Sequence, residues 1–137
     1  MKKAFMPLLL ALLLTMGAPC LHAQQEEPDV EKIINATIDN LCKYYDLDIV
    51  QIFLVDSTLH TNYTEMLAEL DLVKQSGAIN DETYLVATDK WLDATDRSFE
   101  KIFTKEQWEK YLKSSYGKEK RKRDKRMQER EKKQTSK

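Results

Sequence analysis

Asp48-Ile49-Val50-Gln51-Ile52-Phe53-Leu54-Val55 opens the longest helical stretch of the chain and sets its class. Asp48 is placed to cap the amides of a first turn. Gln51, three residues on, is placed to reach back, making a capping box with Asp in the Ser/Thr position. Leu47 before the cap and Ile52 four residues after it have the spacing of a hydrophobic staple. Val55, Leu59, Tyr63, Met66, Leu70 and Val73 then follow in steps of three and four, the period of a helix with one apolar side. Gly77 stands where a left-handed turn would end it. The predicted helix runs for about 29 residues, roughly 43 Å at about 1.5 Å per residue.

The same pattern extends outward on both sides. Upstream, Pro28 and Asp29 suit a helix start, and Val30, Ile33, Ile34, Thr37, Ile38, Leu41, Cys42 and Tyr45 form a one-sided stripe, predicting a helix over 28–45. Downstream, Asn80-Asp81-Glu82-Thr83 supplies capping side chains for a helix over 81–102. Two adjoining stripes run along it: Tyr84, Ala87, Trp91, Ala94, Ser98, Ile102, and Leu85, Thr88, Leu92, Thr95, Phe99, Phe103. Thr104 and Gln107 form a second capping box, with Phe103 and Trp108 as its staple, and Trp108, Tyr111, Leu112 and Ser115 continue the apolar side until Gly117 interrupts it. The expected fold is all-α, an elongated bundle or hairpin of about four helices.

Composition agrees. Three Gly in 137 residues leave no room for a glycine-rich phosphate loop or a turn-rich β-sandwich, and one third of the residues are charged. The N-terminus reads as an address. Met1-Lys2-Lys3 is basic, Ala4 to Met16 is almost wholly apolar, and Leu21-His22-Ala23 precedes Gln24, the layout of a secretory signal over 1–23. Cys20 would open a lipoprotein alternative, but Pro19 precedes it where such signals want a small residue. The expected location is therefore periplasmic or secreted. Cleavage would leave one thiol, Cys42, on an apolar helix face, and one imidazole, His60. No ligand spacing for zinc or calcium and no polar constellation of a nucleophilic enzyme stands out, so no catalytic residue, metal or cofactor is expected.

Charge divides the chain. Residues 24–117 hold 9 basic and 19 acidic side chains, net −10, whereas 118–137 hold 11 basic and 4 acidic, net +7. With Met127 its only aliphatic apolar side chain, the last segment reads as a basic, solvated helical tail that frays and whose removal leaves the 24–117 body intact. Among the aromatic residues, Tyr63, Tyr84, Trp91, Trp108 and Tyr111 are candidates to line a groove for extended protein clients, unless they fill the core between helices.

The two stapled starts, Leu47-Asp48-Ile49-Val50-Gln51 and Phe103-Thr104-Lys105-Glu106-Gln107, resemble the Leu-Thr-x-x-Gln signature of the Spy/CpxP family of small periplasmic helical proteins. They depart from it at Asp48, in place of Thr, and at Phe103, in place of Leu. The resemblance implies an all-helical envelope chaperone or stress-related modulator. That family would carry a mainly basic concave surface, whereas this body is acidic. The partners in view are protein clients, or a fixed protein partner engaged by the acidic body and basic tail. An anionic membrane surface reached by the tail and a second copy in a homodimer are also in view; nucleic acid is not expected.

Overall fold

The computed structural model describes residues 29–78 and 80–136, so the signal layout of residues 1–23, with Cys20, lies outside the described residues. The described chain is all-helical, in five helices. They are α1 (Val30–Tyr45), α2 (Ile49–Gln75), α3 (Asp81–Ile102), α4 (Lys105–Lys113) and α5 (Ser115–Thr135). None is long and apolar enough to cross a membrane among the described residues.

Local chemistry starts and ends these helices. The Lys32 amide donates to Asp29 Oδ1 at 3.2 Å, making Asp29 the cap of α1. Asp46, at φ 51°, turns the chain left-handed at its end. Both sides of the Asp48/Gln51 box are made, at 2.8 and 3.1 Å, so α2 starts where its sequence places it. Gly77, at φ 72°, ends it in the expected left-handed turn. Asn80 and Thr83 cap α3 reciprocally, as Thr104 and Gln107 cap α4.

The interruption after α4 falls at Ser114 rather than Gly117. Ser114 takes an extended conformation, and its hydroxyl accepts from the Tyr116 amide, so one residue both stops α4 and caps α5. Gly117 lies inside the first turn of α5. A Cβ there would sit 2.0 Å from the Leu112 carbonyl oxygen, so the close approach of α5 to the end of α4 admits no side chain.

Short connections make α1, α2 and α3 successive neighbours. Their shared core gathers Ile34, Leu41 and Tyr45 of α1, Val55 and Leu59 of α2, Phe99 of α3, then Phe103 and Tyr111. Leu47, Trp108 and Tyr116 pack against it. All these positions lie on the stripes and staples of the sequence, save Tyr116.

The basic segment departs from its expectation. It is not a solvated tail: α5 packs against α3, and Arg123 is 5% exposed. Opposite it, α3 buries three acids, Asp89, Asp93 and Asp96. The acids recur every three or four residues along α3, and Arg123, Arg126 and Arg130 recur likewise along α5. Each helix therefore presents one charged stripe to the other.

Candidate functional site

The two capping boxes meet. Gln51 Nε2 donates to Gln107 Oε1 at 2.7 Å, and Gln107 Nε2 donates back to Gln51 Oε1 at 3.2 Å. Gln51 also donates to the Ile102 carbonyl at 2.9 Å, and Gln107 donates to the Tyr45 carbonyl at 3.0 Å and the Asp46 carbonyl at 3.3 Å. The ends of α1 and α3 are thus tied to the starts of α2 and α4 through two side-chain amides. Helix C-termini leave carbonyls without intrahelical partners, and these amides supply donors for them. Both amides are saturated, since each oxygen accepts twice and each NH2 group is fully engaged. The pair is a structural lock with no polar group left over for a ligand.

Around this lock the staple residues divide. Phe103 is buried and stacks on Tyr45 and Phe99, with ring centroids 5.9 and 5.3 Å apart. Leu47 and Trp108 pack at the core's edge, Trp108 stacked 5.1 Å from Tyr111, and Ile52 is half-buried.

Tyr111 does not belong among the client-binding aromatics. It lies in the core, touching the rings of Tyr45, Phe99, Phe103, Trp108 and Tyr116. Its hydroxyl donates to Asp96 Oδ1 at 2.7 Å. Burial, and then the neighbouring Asp96 carboxylate, push the phenol well above its ordinary range. Trp91 is half-buried, donating Nε1–H to Glu69 Oε2 at 2.7 Å under the Lys90 ammonium. Lys90 makes its own 2.7 Å bond to that oxygen and, before all other causes, draws the Glu69 carboxyl below its usual value.

Tyr63 and Tyr84 do come together. They flank a groove of about 490 Å³ between α2 and α3, open to solvent near the start of α1. Met66, Leu67 and Leu70 form one wall, Leu85 and Leu92 the other, and Val30 and Ile33 close an end. Tyr84 is 50% exposed at the rim. The charged lining is Asp89 and Arg126, which neutralise one another. The groove lies where the far halves of α2 and α3 meet the start of α1 and Arg126 of α5, and its walls, Met66, Leu67, Leu70, Leu85 and Leu92, stay half-buried.

The α3–α5 seam was not legible as a site from periodicity. Asp96 pairs with Arg123, both buried. Arg126 reaches Asp89 through Nε and Nη2 at 3.0 and 2.6 Å, and Arg130 bridges Asp89, at 2.8 Å, to Glu82, at 3.0 Å. Burial pushes the Asp96 carboxyl up, against the Tyr111 hydrogen bond and the Arg123 charge. Burial also opposes ionisation of Asp89, but the hydrogen bonds and charges of two arginines outweigh it and hold that carboxyl below its usual value. A signal was present in the matched three- and four-residue spacing of Asp and Arg, but a solvated salt-bridge helix shows the same spacing.

A lowered carboxyl pKa stabilises the fold above its unfolded value, about 3.9 for Asp, and that share is lost as pH falls through the folded pKa. Asp89→Asn should therefore be less stable than the parent at neutral pH, with the gap closing below about pH 4. Urea melts at pH 7 and pH 3 measure this; a gap independent of pH would mean that Asp89 is not held ionised by Arg126 and Arg130.

His60 lies on the surface beside Asp56 and Glu31, at 3.4 and 3.8 Å, and Cys42 is half-buried on α1. Among the described residues, no three His, Cys, Asp or Glu side chains cluster to hold a metal. No family model, curated protein or solved structure matches this chain.

Proposed function

We propose that the chain is an exported helical binding protein that holds extended apolar segments of protein clients in the groove between α2 and α3. The groove itself carries the reading: it is apolar, open, and bordered by exposed Tyr84 and Ile33. Its volume, about 490 Å³, suits a few client side chains rather than a whole folded surface. Export rests on the layout of Met1–Ala23, and an exported protein meets chains that have not yet folded. The resemblance of the paired helix starts to the Spy/CpxP signature supports a chaperone-like role.

The test is fluorescence anisotropy with an unstructured peptide rich in Leu and Phe. Leu70→Glu puts a charge on the groove wall and removes a contact worth about 1.5–3 kcal/mol when fully buried, so binding should weaken at least roughly tenfold while the helical circular dichroism persists. A peptide that ignores the protein, or binds the variant equally well, sinks the reading.

A second reading is favoured by the outer side of α5. Lys118, Arg121, Lys122, Lys125 and Lys132 are exposed there, while Arg123 and Arg130 are turned inward. Such a face suits a fixed acidic protein partner or an anionic membrane surface, attracting the latter by about 1 kcal/mol per basic residue near the lipid. One stable, salt-sensitive complex would mark it, in place of many weak clients.

A further inference from the structure

We infer that a chamber lined by all five helices, with Arg123 on its wall, is a binding site for a phenol ring. The chamber holds about 200 Å³ and adjoins the α2–α3 groove, since Tyr63 and Leu92 line both. Arg123 is 5% exposed, yet it makes one hydrogen bond, from Nη2 to Asp96. A guanidinium carries five N–H donors. Nε is enclosed without a partner, and Nη1 makes no hydrogen bond among the described residues. Other polar groups of the lining are spent. The Tyr111 hydroxyl donates to Asp96, and the Thr95 hydroxyl donates to the Trp91 carbonyl while accepting from Asn62. Tyr63 and Tyr116 are the exceptions: burial pushes both phenols up, and neither hydroxyl makes a hydrogen bond among the described residues. Unmet donors in a buried place are costly, so a ligand that meets them gains more than one that does not.

Size and charge select the ligand. An apolar cavity of about 150 Å³ admits benzene, so this one holds a single ring with a substituent. Leu59, Leu92 and Phe99 supply an apolar wall for the ring, and Phe99 an edge or face to pack it on. A plain hydrocarbon would leave Arg123 unmet. A carboxylate would bring a third anion to one guanidinium, because Asp96 and Glu119 line the same chamber. An amine would face the arginine charge. A neutral hydroxyl suits both sides: it accepts from Arg123 and donates to a tyrosine oxygen. Two sources offer that group, a free phenol or the tyrosine side chain of a client. The second source rests on the client-binding reading of the adjoining groove.

NMR titration of the protein with 4-methylphenol should give saturable shifts at the chamber residues, with toluene and benzoate each at least roughly tenfold weaker. Thr37 lines the chamber from α1, and its hydroxyl bonds only the Ile33 carbonyl of its own helix. Thr37→Phe should therefore fill the space and weaken 4-methylphenol at least roughly tenfold with the helical circular dichroism unchanged. Arg123→Lys keeps a charge against Asp96 but removes the unmet donors, and should bring 4-methylphenol down to the affinity of toluene. If that variant does not fold, the comparison of the two ligands on the parent protein decides alone. No saturable binding of 4-methylphenol, equal binding of toluene, or indifference to Thr37→Phe would each overturn the inference. Leu70 lies outside the chamber, so Leu70→Glu should bind 4-methylphenol like the parent while losing the apolar peptide, and the two readings fail separately. An extended peptide whose single Tyr displaces 4-methylphenol, where its Phe counterpart does not, marks a client side chain as the source. Peptides that leave 4-methylphenol in place mark a free phenol.

Discussion

Arg123→Ala should destabilise the protein by about 3–5 kcal/mol, the cost of leaving a buried charge without its partner. In the parent, Asp96 is 3% exposed and is held by the Arg123 guanidinium and the Tyr111 hydroxyl. Removing the arginine leaves a carboxylate in the core with one neutral donor. Small domains hold only about 5–15 kcal/mol in total, so the loss would bring this one near its folding threshold. Thermal melting should show it plainly, at roughly 4–8 °C for each kcal/mol in a domain of this size.

The pH dependence of this variant separates lost charge pairing from lost packing. Burial already raises the Asp96 carboxyl, and without Arg123 it should rise further. A carboxyl raised above its unfolded value binds its proton more readily in the folded state, so stability falls as pH rises through that range and recovers as pH drops. The Arg123→Ala deficit should therefore shrink between neutral pH and about pH 4–5, and Asp96→Asn added to it should return part of the loss at pH 7. A deficit that is flat with pH and untouched by Asp96→Asn would show that Arg123 acts through its aliphatic stem alone. The same argument reverses the expectation for the basic segment: deleting 118–137 should destabilise the body, because it uncovers Asp89 and Asp96 together.

Gln51→Ala should cost about 2–4 kcal/mol: about 1 from the lost capping box and about 1–3 from buried groups left unsatisfied. Those groups are the Ile102 carbonyl and the Gln107 amide, which Gln51, itself 8% exposed, bonds in the parent. Gln107→Ala should do comparable damage by releasing the Tyr45 and Asp46 carbonyls. The informative measurement is the double-mutant cycle by urea denaturation. Side chains that bond each other should couple by about 0.5–3 kcal/mol, so the double variant should be markedly less impaired than the sum of the singles. Strict additivity would mean that each glutamine serves only its own helix.

Most helix starts were legible in the sequence because a cap acts within four residues. Asp48 with Gln51, Asn80 with Thr83 and Thr104 with Gln107 each close their box locally, whatever the rest of the chain does. The apolar stripes were legible for a similar reason: Ile34, Leu41, Val55, Leu59 and Phe99 repeat with the helical period, and burial follows the face they share. The candidate groove was legible in part, through Tyr63 and Tyr84, while Tyr111 of the same aromatic set is carried into the core because its hydroxyl finds Asp96 there.

Tertiary structure alone decided what long-range partners share. Nothing local in Gln51 or Gln107 announces that the two amides bond across 56 residues. Ser114 and Gly117 were both able to break a helix; Ser114 does so because its hydroxyl caps Tyr116, while Gly117 is needed where α5 closes on the Leu112 carbonyl. The docking of α5 was hidden most deeply. Hydrophobic periodicity reads apolar faces only, and α5 docks through a face of arginines, of which Arg123 leaves water because Asp96 waits opposite, while Arg126 and Arg130 stay partly solvated over Asp89, on a helix far along the chain.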